Sequence, residues 1–305
     1  MVLRTLLLLF IGASLAATRA GATCDAPRCF DMVVPVPRRL TVPDSTVRVI
    51  LPAGYGDSRV RYPVLYLLHG AGDTYASWTE KTDVQEFSRQ LPLIIVMPDG
   101  GHDRNAGFYS DWVDGSRQWE TFHTRVLPRW VERHFRTLRG GRHRAVAGLS
   151  MGGFGAMSYA ARHPGLFRAA ASFSGAVDTL YGDAPAPILF AAGVVQLGVW
   201  GDPVADARTW RAHDPVDLAR RLRGTALFVA TGDGTPGGPA GDVDDDLAYL
   251  AEQVIAGMNH AFAEGLDAAG VSFARDFYHG GYHGWPYWQR ELHWSLPQIM
   301  RFIGR

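Results

Sequence analysis

The sequence predicts a single α/β domain, built on a mostly parallel β-sheet with helices on both faces. Short apolar and β-branched runs alternate with longer segments of helical periodicity. Parallel strands require crossover helices, and strands buried on both faces are continuous apolar runs. No Pro/Ser-rich or charge-blocked segment in mid-chain is suited to link two domains, so we expect one domain over residues 23–305.

The first 22 residues have the pattern of a secretory signal peptide. Arg4 precedes the apolar run 6–15, and small residues follow at Ala20 and Ala22. That run is too short to span a bilayer, and no later stretch reaches the roughly 18 apolar residues that a transmembrane helix needs. We therefore expect a mature chain without a stable membrane span that is secreted or held in the cell envelope.

The two cysteines, Cys24 and Cys29, both lie at the start of the expected mature chain. Because an exported protein meets an oxidising environment, we expect a local disulfide that ties down this terminus. No histidine or third cysteine lies nearby to complete a tetrahedral metal site, and we expect no metal.

The charge balance argues against nucleic-acid binding. Lys plus Arg number 30 and Asp plus Glu number 30. Without a basic cluster the chain lacks the counter-ion release that drives nucleic-acid binding. We expect a small, mostly neutral substrate.

The predicted elements follow in order along the chain. An antiparallel leading strand is expected at residues 40–51, and the buried strands are predicted at 64–68, 93–97, 144–148, 169–173, 226–230 and 272–278. Helices are predicted at 119–135, 153–163 and 245–266. Polar or Gly-rich loops are expected at 100–105 and 232–241, and the stretch 178–204 is predicted to be an insertion over the edge of the sheet.

The segment Gly148-Leu149-Ser150-Met151-Gly152 follows a predicted strand and opens a predicted helix. In that context the G-x-S-x-G pattern indicates a nucleophile elbow, in which flanking glycines let strand and helix approach while the serine takes a strained backbone conformation. A packing turn is the alternative, but the strand before and the helix after favour the elbow. The sequence thus predicts the α/β-hydrolase fold with Ser150 as nucleophile.

A serine hydroxyl needs a base within hydrogen-bond reach, and on this fold the base is a histidine after the last strand. His283 lies in the Gly-rich segment 280–285 after the strand that ends at residue 278. His279 abuts that strand and His293 falls in the closing helical segment, so we expect both to be structural or solvated.

The acid of the triad must lie between nucleophile and base in the chain order of this fold. Asp233 directly follows a predicted strand, which is the usual place for the acid. Glu252 lies on the next predicted helix, beside an apolar stripe of Leu247, Leu250, Val254 and Met258. Spacing alone does not decide between them.

Two backbone N–H groups are expected to form an oxyanion hole. One comes from the residue after the nucleophile, Met151, and the other from the loop after an early strand, where Ala71 in His69-Gly70-Ala71-Gly72 is best placed.

These residues resemble the esterase D-like family, which includes feruloyl esterases and secreted mycolyltransferases of the antigen 85 type. The resemblance runs from about residue 62 to the C-terminus. It rests on six ordered motifs: FYSDW at 108–112, WETF at 119–122, the elbow at 148–153, DP at 214–215, GDGTP at 232–236 and HGWPYW at 283–288. The resemblance implies that Glu252 is the acid, with Asp233 in reserve, and that Trp285 lines the substrate site.

One motif departs from the mycolyltransferases. They carry Asp-Gly-Leu-Arg where this chain has 69–72, and the resemblance implies that this Asp and Arg help to bind a trehalose acceptor. Here the two positions are His69 and Gly72.

We therefore expect a cofactor-independent serine esterase that acts on a small acyl ester through an acyl-enzyme. The alternatives are an acyltransferase with a sugar or glycolipid acceptor, and a catalytically idle envelope binding protein.

Overall fold

A computed structural model describes residues 24–102, 106–181 and 196–304. The predicted signal peptide, residues 1–22, lies outside the described residues. So do residues 103–105 of the predicted loop at 100–105 and residues 182–195 of the stretch 178–204.

The central sheet has eight strands in the described residues, in the order β1-β2-β4-β3-β5-β6-β7-β8. Strands β1 and β2 are antiparallel to their neighbours, and all other pairings are parallel. The strands are β1 Cys29–Val33, β2 Thr46–Ile50, β3 Val64–Leu68, β4 Ile94–Pro98, β5 Arg144–Leu149, β6 Ala169–Phe173, β7 Ala226–Gly232 and β8 Phe273–Tyr278.

Helices cover both faces of the sheet, as predicted. The α-helices are α1 Ser77–Lys81, α2 Val84–Phe87, α3 Trp119–Thr121, α4 Leu127–His134, α5 Met151–Arg162, α6 Leu197–Trp200, α7 Ala207–Arg211, α8 Asp246–Ala268 and α9 Trp285–Ile303. A π-helical turn, Phe122–Val126, joins α3 to α4, and 3₁₀ turns occur at Gly141–His143 and Ala219–Leu222.

Alternate side chains of the strands divide the apolar core into two layers. On one face Tyr66 and Val146 pack with Phe154 of α5. On the other, Leu67 and Ala147 pack with the apolar residues of α9. Because successive side chains of a strand point to opposite faces, a strand buried on both sides must be apolar throughout, which explains the continuous runs in the sequence.

The structure confirms the fold class and finds the predicted strands from β3 onward within about two residues of their expected places. The leading strand expected at 40–51 is β2, which begins only at Thr46. Strand β1 was not predicted, because only Cys29 of CFDMV is buried and the other residues are partly or fully exposed. It pairs antiparallel with β2 and begins at Cys29, which is disulfide-bonded to Cys24.

One detail of the prediction is wrong. On α8 the buried side is formed by residues such as Ala248, Ala251 and Ile255, whereas Leu250 of the expected stripe is exposed. In the described part of the predicted insertion 178–204, Trp200 packs on Phe154 of α5. None of the helices in the described ranges combines the length and apolar character needed to cross a bilayer.

Candidate active site

Ser150 occupies the sharp turn between β5 and α5. Its backbone has φ 51° and ψ −118°, a left-handed conformation that non-glycine residues rarely adopt. The Ser150 N–H donates to the carbonyl of Phe173 on β6, and its own carbonyl accepts from Ala176 and Phe154. These hydrogen bonds hold the strained residue in place, as the sequence pattern predicted for the elbow.

Two glycines of the elbow are required by close backbone contacts. A Cβ on Gly148 would lie 2.5 Å from the backbone of Gly152, and a Cβ on Gly152 would lie 2.7 Å from the carbonyl oxygens of Leu68 and His69. Both distances are too short for a real Cβ atom, so neither position admits a side chain. The second contact brings the start of α5 against the turn that follows β3.

A continuous set of hydrogen bonds joins Ser150, His283 and Glu252. The Ser150 Oγ lies 2.9 Å from His283 Nε2, and His283 Nδ1 lies 2.8 Å from Glu252 Oε2. The three side chains are buried, with at most a tenth of each residue exposed. A carboxylate only accepts hydrogen bonds, so the ring proton lies on Nδ1 and Nε2 is left to accept from the serine hydroxyl.

The other oxygen of Glu252 is held by three donors. Oε1 accepts from Ser174 Oγ at 2.7 Å, from Thr231 Oγ1 at 3.0 Å and from the Gly232 N–H at 2.9 Å. Ser174 itself adopts φ 43°, a second left-handed residue directly after β6. Sequence reasoning missed Ser174 and Thr231, because the only available signal was their position at the carboxyl ends of adjacent parallel strands.

Asp233 lies in a different set of contacts. Its carboxylate accepts from His279 Nδ1 at 2.8 Å and from the Gly280 N–H at 2.9 Å. Burial alone would raise the pKa of Asp233, but hydrogen bonds from Thr235, His279 and Gly280 outweigh it and lower that pKa. The structure therefore brings Glu252, and not Asp233, to His283. The remaining rival, His293, lies 2.7 Å from Asp83 on the outer side of α9.

Ala71 and Met151 lie on the two segments that meet at the elbow. Met151 is the first residue of α5, and Ala71 lies in the turn after β3 against which α5 begins. Within the described parts of the chain, neither N–H group donates to a backbone carbonyl in a turn or helix cap. Two such amides beside a nucleophile can stabilise a developing negative charge.

His69 is a buried structural residue. Its Nε2 accepts from the Gly100 N–H at 2.8 Å, and its Nδ1 lies 2.8 Å from the Gly70 carbonyl oxygen. The backbone N–H can only donate, so the ring proton must be on Nδ1. Both ring nitrogens are thus used to fix the turn that carries Ala71.

Trp285 lies at the start of α9, two residues after His283. Its ring contacts Trp78 and Trp288 edge-on, with centroids 5.2 Å apart in each case. Lys81 Nζ lies 5.2 Å from the Trp285 ring centroid and 2.7 Å from Asp73 Oδ1. Sequence reasoning missed the pair Asp73 and Lys81, since nothing in their spacing relates them to His283.

The motifs FYSDW and WETF hydrogen-bond to each other and to the turn after β3. Asp111 of the first accepts from the Thr121 N–H of the second at 2.9 Å. The Tyr109 hydroxyl donates to the His69 carbonyl at 2.9 Å, which links this scaffold to the turn after β3.

Similarity to known proteins identifies the family. The sequence profile of the Esterase family matches residues 41–299. An esterase of Mycobacterium tuberculosis is 40% identical over 235 residues, which are 74% of this chain and 49% of that protein. This chain therefore spans about half the length of that relative. The diacylglycerol acyltransferase/mycolyltransferase Ag85B of Mycobacterium leprae is 34% identical over 258 residues, which are 79% of this chain and 76% of that protein.

Two solved structures have the same architecture at 27% sequence identity. MPT51 (FbpC1) of Mycobacterium tuberculosis superimposes with a TM-score of 0.71 over 89% of this chain and 97% of that chain. A ferulic acid esterase superimposes with a TM-score of 0.66 over 90% of this chain and 98% of that chain. The chain therefore belongs to the Esterase family of α/β-hydrolase-fold enzymes, whose members hydrolyse esters or transfer acyl groups.

Proposed function

We propose that this chain is an exported serine esterase that cleaves carboxylic esters through an acyl-enzyme, with Ser150 as nucleophile, His283 as base and Glu252 as acid. The single observation that carries the proposal is the hydrogen-bonded series of Ser150, His283 and Glu252, which starts at a strained elbow. The strained turn places the hydroxyl against His283 Nε2, and the series gives that hydroxyl a base with a fixed orientation.

In the first half of the reaction, Ser150 Oγ attacks the carbonyl carbon of the ester while His283 Nε2 takes its proton. The negative charge that develops on the carbonyl oxygen is stabilised by the N–H groups of Ala71 and Met151. When the intermediate collapses, the C–O bond to the alcohol breaks and His283 returns the proton to the departing oxygen. The acyl group is then esterified to Ser150.

The second half repeats these steps with water. His283 takes a proton from the water as its oxygen attacks the acyl carbon, and it returns that proton to Ser150 Oγ as the free acid leaves. Neither half of the proposed reaction requires a cofactor.

Glu252 supports both halves by holding the imidazole in one tautomer and by stabilising the imidazolium that forms transiently. Its three donors, Ser174, Thr231 and the Gly232 amide, offset the cost of keeping a charged group in a buried place.

Water is proposed as the normal acceptor because the positions that would orient a sugar are not equipped for it. Both ring nitrogens of His69 bind backbone groups, and Gly72 has no side chain. An alcohol competes with abundant water only when fixed polar groups hold it in line.

Acyl transfer to a sugar or glycolipid is the second candidate function. The observation that favours it is the pair of Asp73 and Lys81 beside Trp285, which combines charged hydrogen-bonding groups with an aromatic face. The mycolyltransferase relatives share the family, so the chemistry of transfer is available on this fold.

Export is proposed from the N-terminal pattern of residues 1–22 together with the disulfide between Cys24 and Cys29, which persists in oxidising compartments. We propose residues 23–305 as a single catalytic domain.

Two measurements test the proposal. One is labelling with a fluorophosphonate probe followed by peptide mapping, and the other is hydrolysis of p-nitrophenyl esters of graded chain length. We expect one labelled residue, Ser150, and release of p-nitrophenol. An unlabelled, inactive protein would favour a binding role in the cell envelope and contradict the proposal.

A further inference from the structure

Glu291 is a buried carboxyl group that the proposed reaction does not use. It lies on α9 with no exposed surface. One of its oxygens, Oε1, accepts from the Tyr278 hydroxyl at 2.7 Å. Its Oε2 has no hydrogen-bond partner among the described residues. A buried carboxyl group in these surroundings requires an explanation, because it costs free energy relative to an apolar side chain.

The hydrogen bond from Tyr278 to Glu291 spans the base of the loop that carries His283. Tyr278 is the last residue of β8, and Glu291 lies in the second turn of α9. The loop between these two elements, residues 279–284, contains His283. Two adjacent glycines in it, Gly280 and Gly281, have φ 80° and 103°. Such a segment has high conformational entropy when it is not tethered. Within the loop the Gly280 N–H binds Asp233 and the His283 N–H binds the Ala248 carbonyl at 3.0 Å, and the contact at the two loop ends adds to these tethers.

Ring contacts connect the start of α9 to Tyr278 and to His283. The rings of Tyr278 and Tyr287 are stacked, with centroids 5.7 Å apart and an interplanar angle of 8°. Trp288, one turn before Glu291, contacts the His283 ring edge-on at 5.0 Å. A displacement of α9 relative to β8 would therefore move the imidazole directly.

The surroundings of Glu291 favour its uncharged form. Burial raises the pKa of Glu291 well above its ordinary value, and the nearby carboxylate of Glu252 on α8 raises it further. The other facing groups act in both directions. Tyr278 and Arg290 lower that pKa, and Asp276 on β8, which is paired with Arg290 at 2.7 Å, raises it. A neutral Glu291 avoids the repulsion of a second negative charge near Glu252.

We infer that Tyr278 and Glu291 form a positioning clasp, which joins the two ends of the 279–284 loop and fixes His283 between Ser150 and Glu252. The inference rests on the proposed function, since it assigns these residues to the placement of the proposed base.

The test compares three variants in kcat and KM for a p-nitrophenyl ester. Glu291→Leu removes the acceptor, Tyr278→Phe removes the donor, and Glu291→Gln keeps an acceptor oxygen of the same reach without any charge. We expect Leu and Phe each to lower kcat by about tenfold with little change in KM, and Gln to restore most of the activity. The double variant Tyr278→Phe/Glu291→Leu should be no slower than the slower single variant, because both remove the same hydrogen bond.

The control is Ser158→Ala, which removes another buried hydrogen bond, from Ser158 Oγ to the His213 carbonyl at 3.1 Å, on the far part of α5. It is expected to lower the melting temperature without lowering kcat. If the clasp variants behave like this control, with lower stability and unchanged kcat, their role is structural only and the inference is wrong.

The pH dependence of kcat/KM tests the charge of Glu291 separately. If it is neutral, Glu291→Gln leaves the midpoint of the acid limb in place. If Glu291 is ionised, its replacement removes a negative charge near His283 and moves that midpoint to lower pH. This result would show that Glu291 is not neutral. Fluorophosphonate labelling of the wild type distinguishes a failure of the clasp from a failure of the proposed function. A labelled wild type with unaffected clasp variants contradicts the clasp alone, whereas an unlabelled wild type contradicts the proposed function.

Discussion

Glu252 Oε2 lies 2.8 Å from Nδ1 of His283, although the two residues are 31 positions apart and belong to different elements. The carboxylate of Asp233 binds His279 instead, on an exposed loop. Because a carboxylate can orient an imidazole only through direct contact, this arrangement gives different expected roles to two acids that both precede His283 in the chain.

Replacement of Ser150 by Ala is expected to abolish ester hydrolysis while the protein remains folded. Ala removes only the hydroxyl, and the backbone hydrogen bonds to Phe173, Phe154 and Ala176 that hold the strained turn persist. Turnover of a p-nitrophenyl ester and the thermal unfolding transition are the two measurements. Near wild-type turnover in this variant would refute Ser150 as nucleophile.

Glu252→Gln is expected to lower kcat by a factor on the order of 10³ or more, because an amide cannot stabilise the imidazolium as a carboxylate does. The matched control is Asp233→Asn, which neutralises the acid directly after β7. It should change kcat by less than about threefold. The measurement is kcat for both variants under identical conditions. The opposite ranking would assign the acid role to Asp233.

Ser174→Ala and Thr231→Val are each expected to lower kcat by about tenfold, since each removes one of three donors that hold Glu252 Oε1. Thr235→Val serves as the control, because its hydroxyl binds Asp233 rather than Glu252. Steady-state kinetics of the three variants are the measurement. Equal effects in all three would mean that the donors to Glu252 have no special part in catalysis.

Water is expected to outcompete trehalose as the acyl acceptor. His69 is committed to backbone contacts and Gly72 offers no side chain, so a sugar hydroxyl would lack positioning that can be worth several kcal/mol. Product partitioning with an activated acyl ester and trehalose at about millimolar concentration measures the outcome. If acylated trehalose dominates over free acid, the chain is a transferase, and Asp73→Asn and Lys81→Met become the variants that should reduce transfer selectively.

Glu120 is expected to stabilise the fold in a pH-dependent way. Burial alone would raise the pKa of Glu120, but hydrogen bonds from His163 at 2.7 Å and Arg162 at 2.9 Å lower it to about 2, from an ordinary value of 4.5. A carboxyl group with a depressed pKa in the folded state contributes stability above its unfolded value, and this contribution is lost as the pH falls from 4.5 through 2.

The corresponding measurement is the free energy of unfolding in urea. Glu120→Gln should cost up to about 3 kcal/mol at pH 7 and up to about 1.4 kcal/mol at pH 3. Glu86→Gln is the control, because Glu86 is exposed and pairs with Arg89 at the surface, and a change below about 0.5 kcal/mol is expected at both pH values. A Glu120→Gln effect that does not depend on pH would contradict this account.

The sequence by itself determined the fold class, and it predicted the elbow at Ser150 and His283 as the proposed base. These rest on local rules. Buried parallel strands must be apolar throughout, the elbow requires glycines where backbones touch at Gly148 and Gly152, and the base must follow the last strand. Each rule can be applied to neighbouring residues without knowledge of distant contacts. Strand β1 escaped detection because only part of its surface is buried.

Only the tertiary structure decided which acid contacts His283, what holds that acid, and what lies beside Trp285. Ser174, Thr231 and Glu252 come from two strand ends and a helix, and their approach depends on the order and twist of the sheet. The same holds for Asp73 and Lys81 beside Trp285, and for Tyr278 and Glu291 at the two ends of the His283 loop. Spacing along the chain carries no information about such contacts, because they form between side chains from elements that the fold alone brings together.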